Sequence, residues 1–212
     1  MATSPAKENI LKRIRQALRT PVPIPFVHNE SGSVDLFHQP EGDTAIVFAE
    51  QFAKLQGKFA FCANEKELLI QLQQLLQTRS WTKVYCRETK LQQLLFEIGI
   101  APFDDLANCD VSITGCEYLI ARTGTLVMSS AQQSGRTTSV YAPVHICIAY
   151  SHQLVSDIND ALIGVKEKYK EQLPSLITFA SGPSRTADIE KTLVTGVHGP
   201  KEVFCFLLEA NR

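Results

Sequence analysis

The stretch Val144-His-Ile-Cys-Ile-Ala-Tyr150 is the part of the sequence that decides the fold class. It is a nearly continuous apolar run, whereas a strand exposed on one face alternates apolar and polar residues. The run therefore predicts a strand that is covered on both faces. Such strands are typical of parallel sheets with helices packed on each side, which indicates an α/β fold.

Segments on either side of this run alternate between strand and helix patterns. Asp43 and Asn64 are suitable N-caps for two of the helices. The alternation predicts βαβ units, and so a mainly parallel sheet flanked by helices. Further strands are predicted at residues 58–62, 82–86, 110–113, 125–129, 176–180 and 203–208, and helices at 43–55, 64–76, 88–98, 154–171 and 186–194.

Residues 1–42 are predicted to be an N-terminal helix and linker arm, and residues 43–212 to be the α/β domain. One face of the helix is apolar, and Pro21, Pro23 and Pro25 then exclude helix. The arm either packs on a partner subunit or folds back on its own domain. The apolar face consists of Ile10, Leu11, Ile14, Ala17 and Leu18.

The overall composition excludes several functional classes. The net charge is −1, without the excess of Lys and Arg that nucleic-acid binding requires. No apolar run is long enough to span a membrane, and the first ten residues do not resemble a secretory signal, so a cytoplasmic protein is predicted. Six cysteines occur without a C-x-x-C spacing. They are interpreted as buried packing thiols, and no cofactor or metal site is predicted.

The first candidate site follows the predicted strand at residues 176–180. Ser181, Gly182, Ser184, Arg185 and Thr186 offer hydroxyl groups, main-chain N–H groups and a guanidinium at the start of a predicted helix. This set suits a phosphate or carboxylate. Alternatively, Ser184 or Thr186 only caps the helix, while Asp188 and Glu190 complement its dipole.

The second candidate site is Gly196-Val-His-Gly-Pro200. Two glycines allow a ligand to approach the backbone closely, and His198 can donate a hydrogen bond or transfer a proton. Alternatively, Gly196 ends a helix and the loop is an ordinary turn.

The third candidate site lies between Thr114 and Arg136. Thr123, Gly124 and Thr125 could bind an oxyanion through hydroxyl and N–H groups, and Glu117 is a candidate acid, base or nucleophile. Alternatively, this is a solvated turn whose threonines only favour the next strand. Neither standard phosphate-loop motif occurs.

Four sequence motifs together resemble the LUD-domain family, and more closely its lactate utilization protein C group. The motifs are Thr123-Gly-Thr-Leu-Val127, Pro143-Val-His-Ile146, Ser181-Gly-Pro-Ser-Arg-Thr-Ala-Asp-Ile-Glu190 and Gly196-Val-His-Gly-Pro200. The likeness covers about residues 43–208. The segment Ile10-Leu-Lys-Arg-Ile-Arg-Gln-Ala-Leu18 resembles that group's leading helix.

The resemblance implies a fold like the sugar-phosphate isomerase and CoA-transferase superfamily (NagB/RpiA/CoA transferase-like). It also implies a role with iron–sulfur partner proteins in oxidising L-lactate to pyruvate. Arg122 stands where the family often has an acid before Thr-Gly-Thr, so a catalytic carboxylate is not expected there. The preferred hypothesis is a non-redox subunit that binds a small carboxylate or phosphate. The alternative is an independent isomerase or CoA-transferase that uses Glu117, Asp188 or His198.

Overall fold

The computed structural model describes residues 5–19, 42–187 and 193–209. The chain divides into two compact units, Met1–His38 and Gln39–Arg212. The first unit contains helix α1 (Pro5–Ala17), which carries the predicted amphipathic pattern. Most of the predicted linker, residues 20–41, lies outside the described residues.

The second unit contains alternating helices and strands. Its helices are α2 (Thr44–Lys54), α3 (Glu65–Thr78), α4 (Thr89–Glu97), α5 (Thr138–Tyr141) and α6 (Ile158–Tyr169). Its strands are β1 (Lys58–Cys62), β2 (Val84–Cys86), β3 (Val111–Thr114), β4 (Tyr118–Ile120), β5 (Thr125–Ser129), β6 (Val144–Tyr150), β7 (Leu154–Val155), β8 (Ile177–Ala180), β9 (Arg185–Ala187), β10 (Leu193–Thr195) and β11 (Glu202–Leu208).

The central sheet has the strand order β1-β11-β6-β3-β2, and all of its neighbouring strands are parallel. This confirms the predicted α/β fold with a mainly parallel sheet. A second sheet, in the order β7-β4-β5-β8, is mixed: β5 pairs antiparallel with both β4 and β8. The strands of this second sheet come between β3 and β11 in the sequence, and β6 of the central sheet separates β5 from β7.

Strand β6 is buried on both faces, as its apolar run predicts. Ile146 and Ile148 lie in the core cluster that contains the buried leucines of α3 and α4. Cys147 and Ala149 lie in the other cluster, with Phe48 and Phe52 of α2 and residues of the second sheet. Successive side chains of a strand point to opposite faces, so two separate cores require apolar residues at every position.

Local signals placed the helix starts correctly. The Asp43 side chain accepts a hydrogen bond from the Ala45 N–H at 2.8 Å, and Asn64 accepts one from the Glu67 N–H at 3.0 Å. Both bonds satisfy N–H groups that the first turn of a helix leaves without an intrahelical partner.

The helix predicted at residues 186–194 is wrong. Strands β9 and β10 occupy its two ends and pair antiparallel, with Thr186 opposite Val194. Both of these residues are β-branched, which favours a strand, and the pairing partner settles the choice between the two conformations. Residues 188–192, including the candidate acid Asp188, lie outside the described residues.

The six cysteines are free and buried, as predicted. Residues 5–19, 42–187 and 193–209 contain no helix that is both long and apolar enough to cross a bilayer. Within the same ranges, no cluster of three or more Cys, His, Asp or Glu residues could hold a metal ion.

Candidate functional site

A cavity of about 430 Å³ lies at the amino-terminal edge of the central sheet. Its volume is within the usual range for small-molecule sites. One wall comes from the segment that ends α5 and enters β6, and the other from the predicted Gly196–Pro200 loop. The lining residues are Val140, Tyr141, Ala142, Pro143, Gly196, Val197, His198, Gly199 and Lys201.

Backbone hydrogen bonds hold this loop against the sheet. The Lys201 N–H donates to the Pro143 carbonyl at 2.8 Å, the Ser184 N–H to Pro200 at 2.9 Å, and the Gly196 N–H back to Ser184 at 3.0 Å. Gly196 has φ +81°, and a Cβ there would lie 2.1 Å from the Lys201 side chain. A glycine is therefore required for Lys201 to line the cavity as it does.

The lining groups of this cavity suit a small anion. His198 and Lys201 are exposed and can both donate hydrogen bonds, and none of the described residues lining the cavity is acidic. Among the described residues, the N–H groups of Val197, His198 and Gly199 have no hydrogen-bond partner. Charge-assisted hydrogen bonds from an ammonium group and main-chain N–H groups are a common way to hold a carboxylate or phosphate.

Three of the predicted ligand-binding residues meet elsewhere. Thr123 Oγ1 lies 2.7 Å from Thr125 Oγ1, which in turn lies 2.7 Å from Ser181 Oγ. These hydroxyl groups line a second cavity of about 280 Å³, together with the apolar side chains of Ile158, Leu162 and Phe179. The nearest cation in sequence, Arg122, forms a bidentate ion pair with Asp157. This second cavity is therefore less suited to an anion than the first.

The two glycines beside these hydroxyl groups allow the chain to pack closely against the backbone of α2 and its C-cap. A Cβ on Gly124 would lie 2.4 Å from the Phe52 nitrogen, and one on Gly182 would lie 2.4 Å from the Leu55 oxygen. Arg185 donates from its guanidinium to the same Leu55 carbonyl, at the C-cap of α2. A cation at this end of a helix stabilises its exposed carbonyl groups. These contacts account for Gly124, Gly182 and Arg185 without a ligand.

Ser184 and Thr186 help to hold the loop that carries His198 in place. The Ser184 side chain is packed against Gly199, where a Cβ would lie 2.9 Å from the Ser184 Cβ. Thr186 pairs with Val194 in the hairpin β9–β10. The interpretation of Ser184 or Thr186 as a helix cap does not apply, because a strand begins at Arg185.

Glu117 is a buried carboxylate with its own set of donors. Lys168 Nζ lies 2.7 Å from Oε2, while Ser129 Oγ and Tyr169 Oη each lie 2.6 Å from Oε1. Burial alone would raise the pKa of Glu117, but these three hydrogen bonds outweigh it and lower the pKa below its ordinary value. Only 1 % of the side chain is exposed. A nucleophile needs a free, accessible oxygen, which Glu117 does not have.

The sequence reasoning overlooked Glu88, which follows the carboxyl end of β2. Its Oε1 accepts a hydrogen bond from the Gly115 N–H, beyond the end of β3, at 2.9 Å. Burial raises the pKa of Glu88 above its ordinary value, an effect that hydrogen bonds from Gly115 and Ser134 partly offset. The rule that ligands gather at carboxyl ends of parallel strands could have drawn attention to this residue. His145, in contrast, is a buried core histidine with a hydrogen-bond partner, since its Nε2 lies 2.8 Å from Thr114 Oγ1.

The predicted site residues therefore do not form one site. Thr125 and Ser129 lie at opposite ends of β5, roughly 13 Å apart at about 3.3 Å per residue, so the hydroxyl cavity and the Glu117 cluster are separate. His198 lies with Lys201 in the cavity at the amino-terminal edge of the central sheet. That cavity is the candidate functional site.

Comparison with known protein families identifies the family of this α/β chain. The LUD domain model matches residues 97–208, which is more than half of the sequence. The chain belongs to the LUD domain family. Within it, several curated relatives named lactate utilization protein C are 33–38 % identical to this chain over about half of its length.

Individual relatives match over part of their length. Lactate utilization protein C of Halalkalibacterium halodurans is 38 % identical over 105 residues, covering 49 % of this chain and 45 % of that protein. The protein of the same name from Deinococcus radiodurans is 35 % identical over 100 residues, covering 47 % and 46 %. An uncharacterized protein of Neisseria meningitidis serogroup B is 34 % identical over 119 residues, covering 55 % and 50 %. The chain spans about half the length of the curated relatives it matches.

A solved structure shares the fold. The crystal structure of a DUF162 family protein from Deinococcus radiodurans superposes with a TM-score of 0.60 at 19 % identity, covering 79 % of this chain and 99 % of that one.

Proposed function

We propose that this chain is a non-redox accessory protein of L-lactate utilization in the cytoplasm, and that it binds a small carboxylate or phosphate anion. The observation that carries the anion-binding part is the cavity lined by His198 and Lys201, with no acidic residue among its described lining residues. The similarity to proteins named lactate utilization protein C supports the metabolic role.

Iron–sulfur proteins of a lactate-oxidising complex are the proposed partners, and they would carry the electrons. Two features of the described residues support this division of work. They contain no cluster of side chains that could hold a metal ion, and all six cysteines are buried in the interior. The alternative, an independent isomerase or CoA-transferase, has less support because Glu117 is already bonded to three donors.

Titration calorimetry with lactate, pyruvate and inorganic phosphate tests the anion site. At least one of these should bind, and His198→Ala and Lys201→Met should each weaken binding about tenfold, the equivalent of roughly 1.4 kcal/mol. Methionine keeps the packing of the aliphatic lysine stem against Gly196 while removing the charge. The matched control is Lys66→Met, at an exposed position on α3, which should bind like the unchanged protein.

Two results would contradict the proposal. One is the absence of binding by all three anions. The other is binding that survives both His198→Ala and Lys201→Met, which would place the anion elsewhere. In a strain that lacks this protein, the two variants should also fail to restore growth on L-lactate, whereas Lys66→Met should restore it.

A further inference from the structure

Helix α1 combines an exposed apolar stripe with a concentration of positive charge. Ile10, Ile14 and Leu18 are 59, 49 and 77 % exposed, although each is a large aliphatic side chain. Residues 5–19 include five basic side chains and a single acidic one, Glu8, while the whole chain has net charge −1. The basic residues are Lys7, Lys12, Arg13, Arg15 and Arg19, and all are exposed.

Two of the five basic residues border the apolar stripe, whereas Lys7 falls within its arc in the first turn of the helix. At about 100° per residue, the apolar side chains of residues 10, 11, 14, 17 and 18 span an arc of roughly 120°. Arg13 and Arg15 fall about 40° outside the two borders of this arc, one on each side. Long basic side chains at such borders can keep their charge in a polar layer while the stripe beside them is buried.

This arrangement fits a lipid surface. We propose that α1 lies in the plane of an anionic membrane surface, with Ile10, Ile14 and Leu18 among the acyl chains and Arg13 and Arg15 at the lipid phosphates. The helix has 13 residues and is about 20 Å long, too short for the roughly 30 Å hydrocarbon layer, so it lies along the surface. Apolar burial and attraction to anionic lipids then act together.

Charge complementarity is the reason for choosing this partner. Pairing of two α1 helices from two copies of the chain would bring two strongly positive surfaces together, which is unfavourable. An anionic leaflet complements the helix along its whole length, and it attracts each basic residue near the surface. The inference does not depend on the anion site proposed above, since it uses only residues 5–19.

Co-sedimentation of the full chain with vesicles tests the inference. Equimolar phosphatidylglycerol and phosphatidylcholine vesicles should bind it at low salt, and phosphatidylcholine vesicles should bind at least about tenfold less. Ile14→Glu should reduce binding to the mixed vesicles by a similar factor, and so should Arg13→Gln combined with Arg15→Gln. Added salt should weaken binding, because it screens the attraction.

Matched controls separate α1 from the rest of the surface. Ile70→Glu changes an isoleucine of α3 that is 56 % exposed, and Lys66→Gln combined with Lys90→Gln removes two exposed charges. Both should bind like the unchanged protein. Equal binding to both kinds of vesicle, or full binding by Ile14→Glu, would overturn the inference. So would an oligomer in lipid-free solution that Ile14→Glu dissociates, since the stripe would then be covered by a second copy.

Discussion

Glu117 shows how neighbouring residues decide the role of a single carboxylate. Its position in a glycine-containing segment made it a candidate nucleophile, yet three donors surround it and its side chain is almost completely buried. Lys168 is half exposed and contributes mainly as a hydrogen-bond donor to a charge that cannot reach water. The residue is best described as the centre of an ion-pair cluster that joins the segment before β4 to the end of α6.

Replacing Glu117 by glutamine should destabilise the protein by roughly 2 kcal/mol at neutral pH, because hydrogen bonds to a buried charge are lost. The dependence on pH follows from the lowered pKa of Glu117. Stability from the ionised carboxylate is present above the ordinary glutamate pKa and is lost as the pH falls through the lower folded-state pKa. Urea denaturation between pH 3 and pH 7 measures this, and the variant should show a smaller loss of stability on acidification.

Glu88→Gln is an informative control because the pKa of Glu88 is shifted in the opposite direction to that of Glu117. Burial raises the pKa of Glu88, so the ionised form is unfavourable in the folded state, and stability falls as the pH rises through that pKa. Glutamine can still accept the Gly115 N–H bond. This variant should therefore be at least as stable as the unchanged protein at neutral pH. If both variants destabilise equally there, the opposite directions of the two pKa shifts are wrong.

The turn between β4 and β5 packs directly against the backbone of α2. Gly124 has φ +57°, and its Cα is packed so closely against α2 that a Cβ would lie 2.4 Å from the Phe52 nitrogen. The contact is between backbone atoms, so no side-chain rotation can relieve it. The turn therefore attaches the second sheet to α2, and any side chain at this position would separate the two elements.

Gly124→Ala should consequently destabilise the protein by more than about 3 kcal/mol, through overpacking added to backbone strain. Gly135→Ala is the matched control, since Gly135 has φ +68° but no atom within 4 Å of an added Cβ. This control should destabilise the protein by only about 1 kcal/mol, the cost of the backbone strain alone. Denaturant midpoints of the two variants measure the difference. Similar midpoints would show that the close approach of the turn to α2 is not rigid.

The six cysteines are distributed over three buried clusters, so their reactivity measures how well the whole interior is packed. All are buried, and burial raises the pKa of Cys62 to about 11 and that of Cys86 to about 12. Thiolate is the reactive form, so burial and a raised pKa both keep these two thiols unreactive. Hydrogen bonds from Cys116 and Cys205 lower the pKa of Cys147, but that thiol is completely buried and out of reach of a reagent. Ellman's reagent at pH 8 should label fewer than one thiol per folded chain and all six after unfolding in guanidinium chloride. Rapid labelling of the native protein would contradict this packing.

Local sequence patterns are enough to predict the α/β class, the β6 strand and the starts of α2 and α3. Each depends on local physics: burial of β6 on two faces needs apolar residues throughout, and Asp43 and Asn64 complete the first turns of their helices. Local patterns wrongly predicted a helix at residues 186–194. Thr186 and Val194 instead lie in two strands that pair with each other, and such a pairing is not visible in a local pattern.

Which candidate residues share a site depends on how distant segments pack together. The loop that carries His198 and Lys201 forms a cavity with residues 140–143 because β11 is inserted beside β6, which brings Lys201 to Pro143. Thr125 and Ser181 meet because β5 pairs with β8, and Arg185 reaches the end of α2 instead of a ligand. Strand order depends on the packing of all the elements together, so no local pattern encodes it.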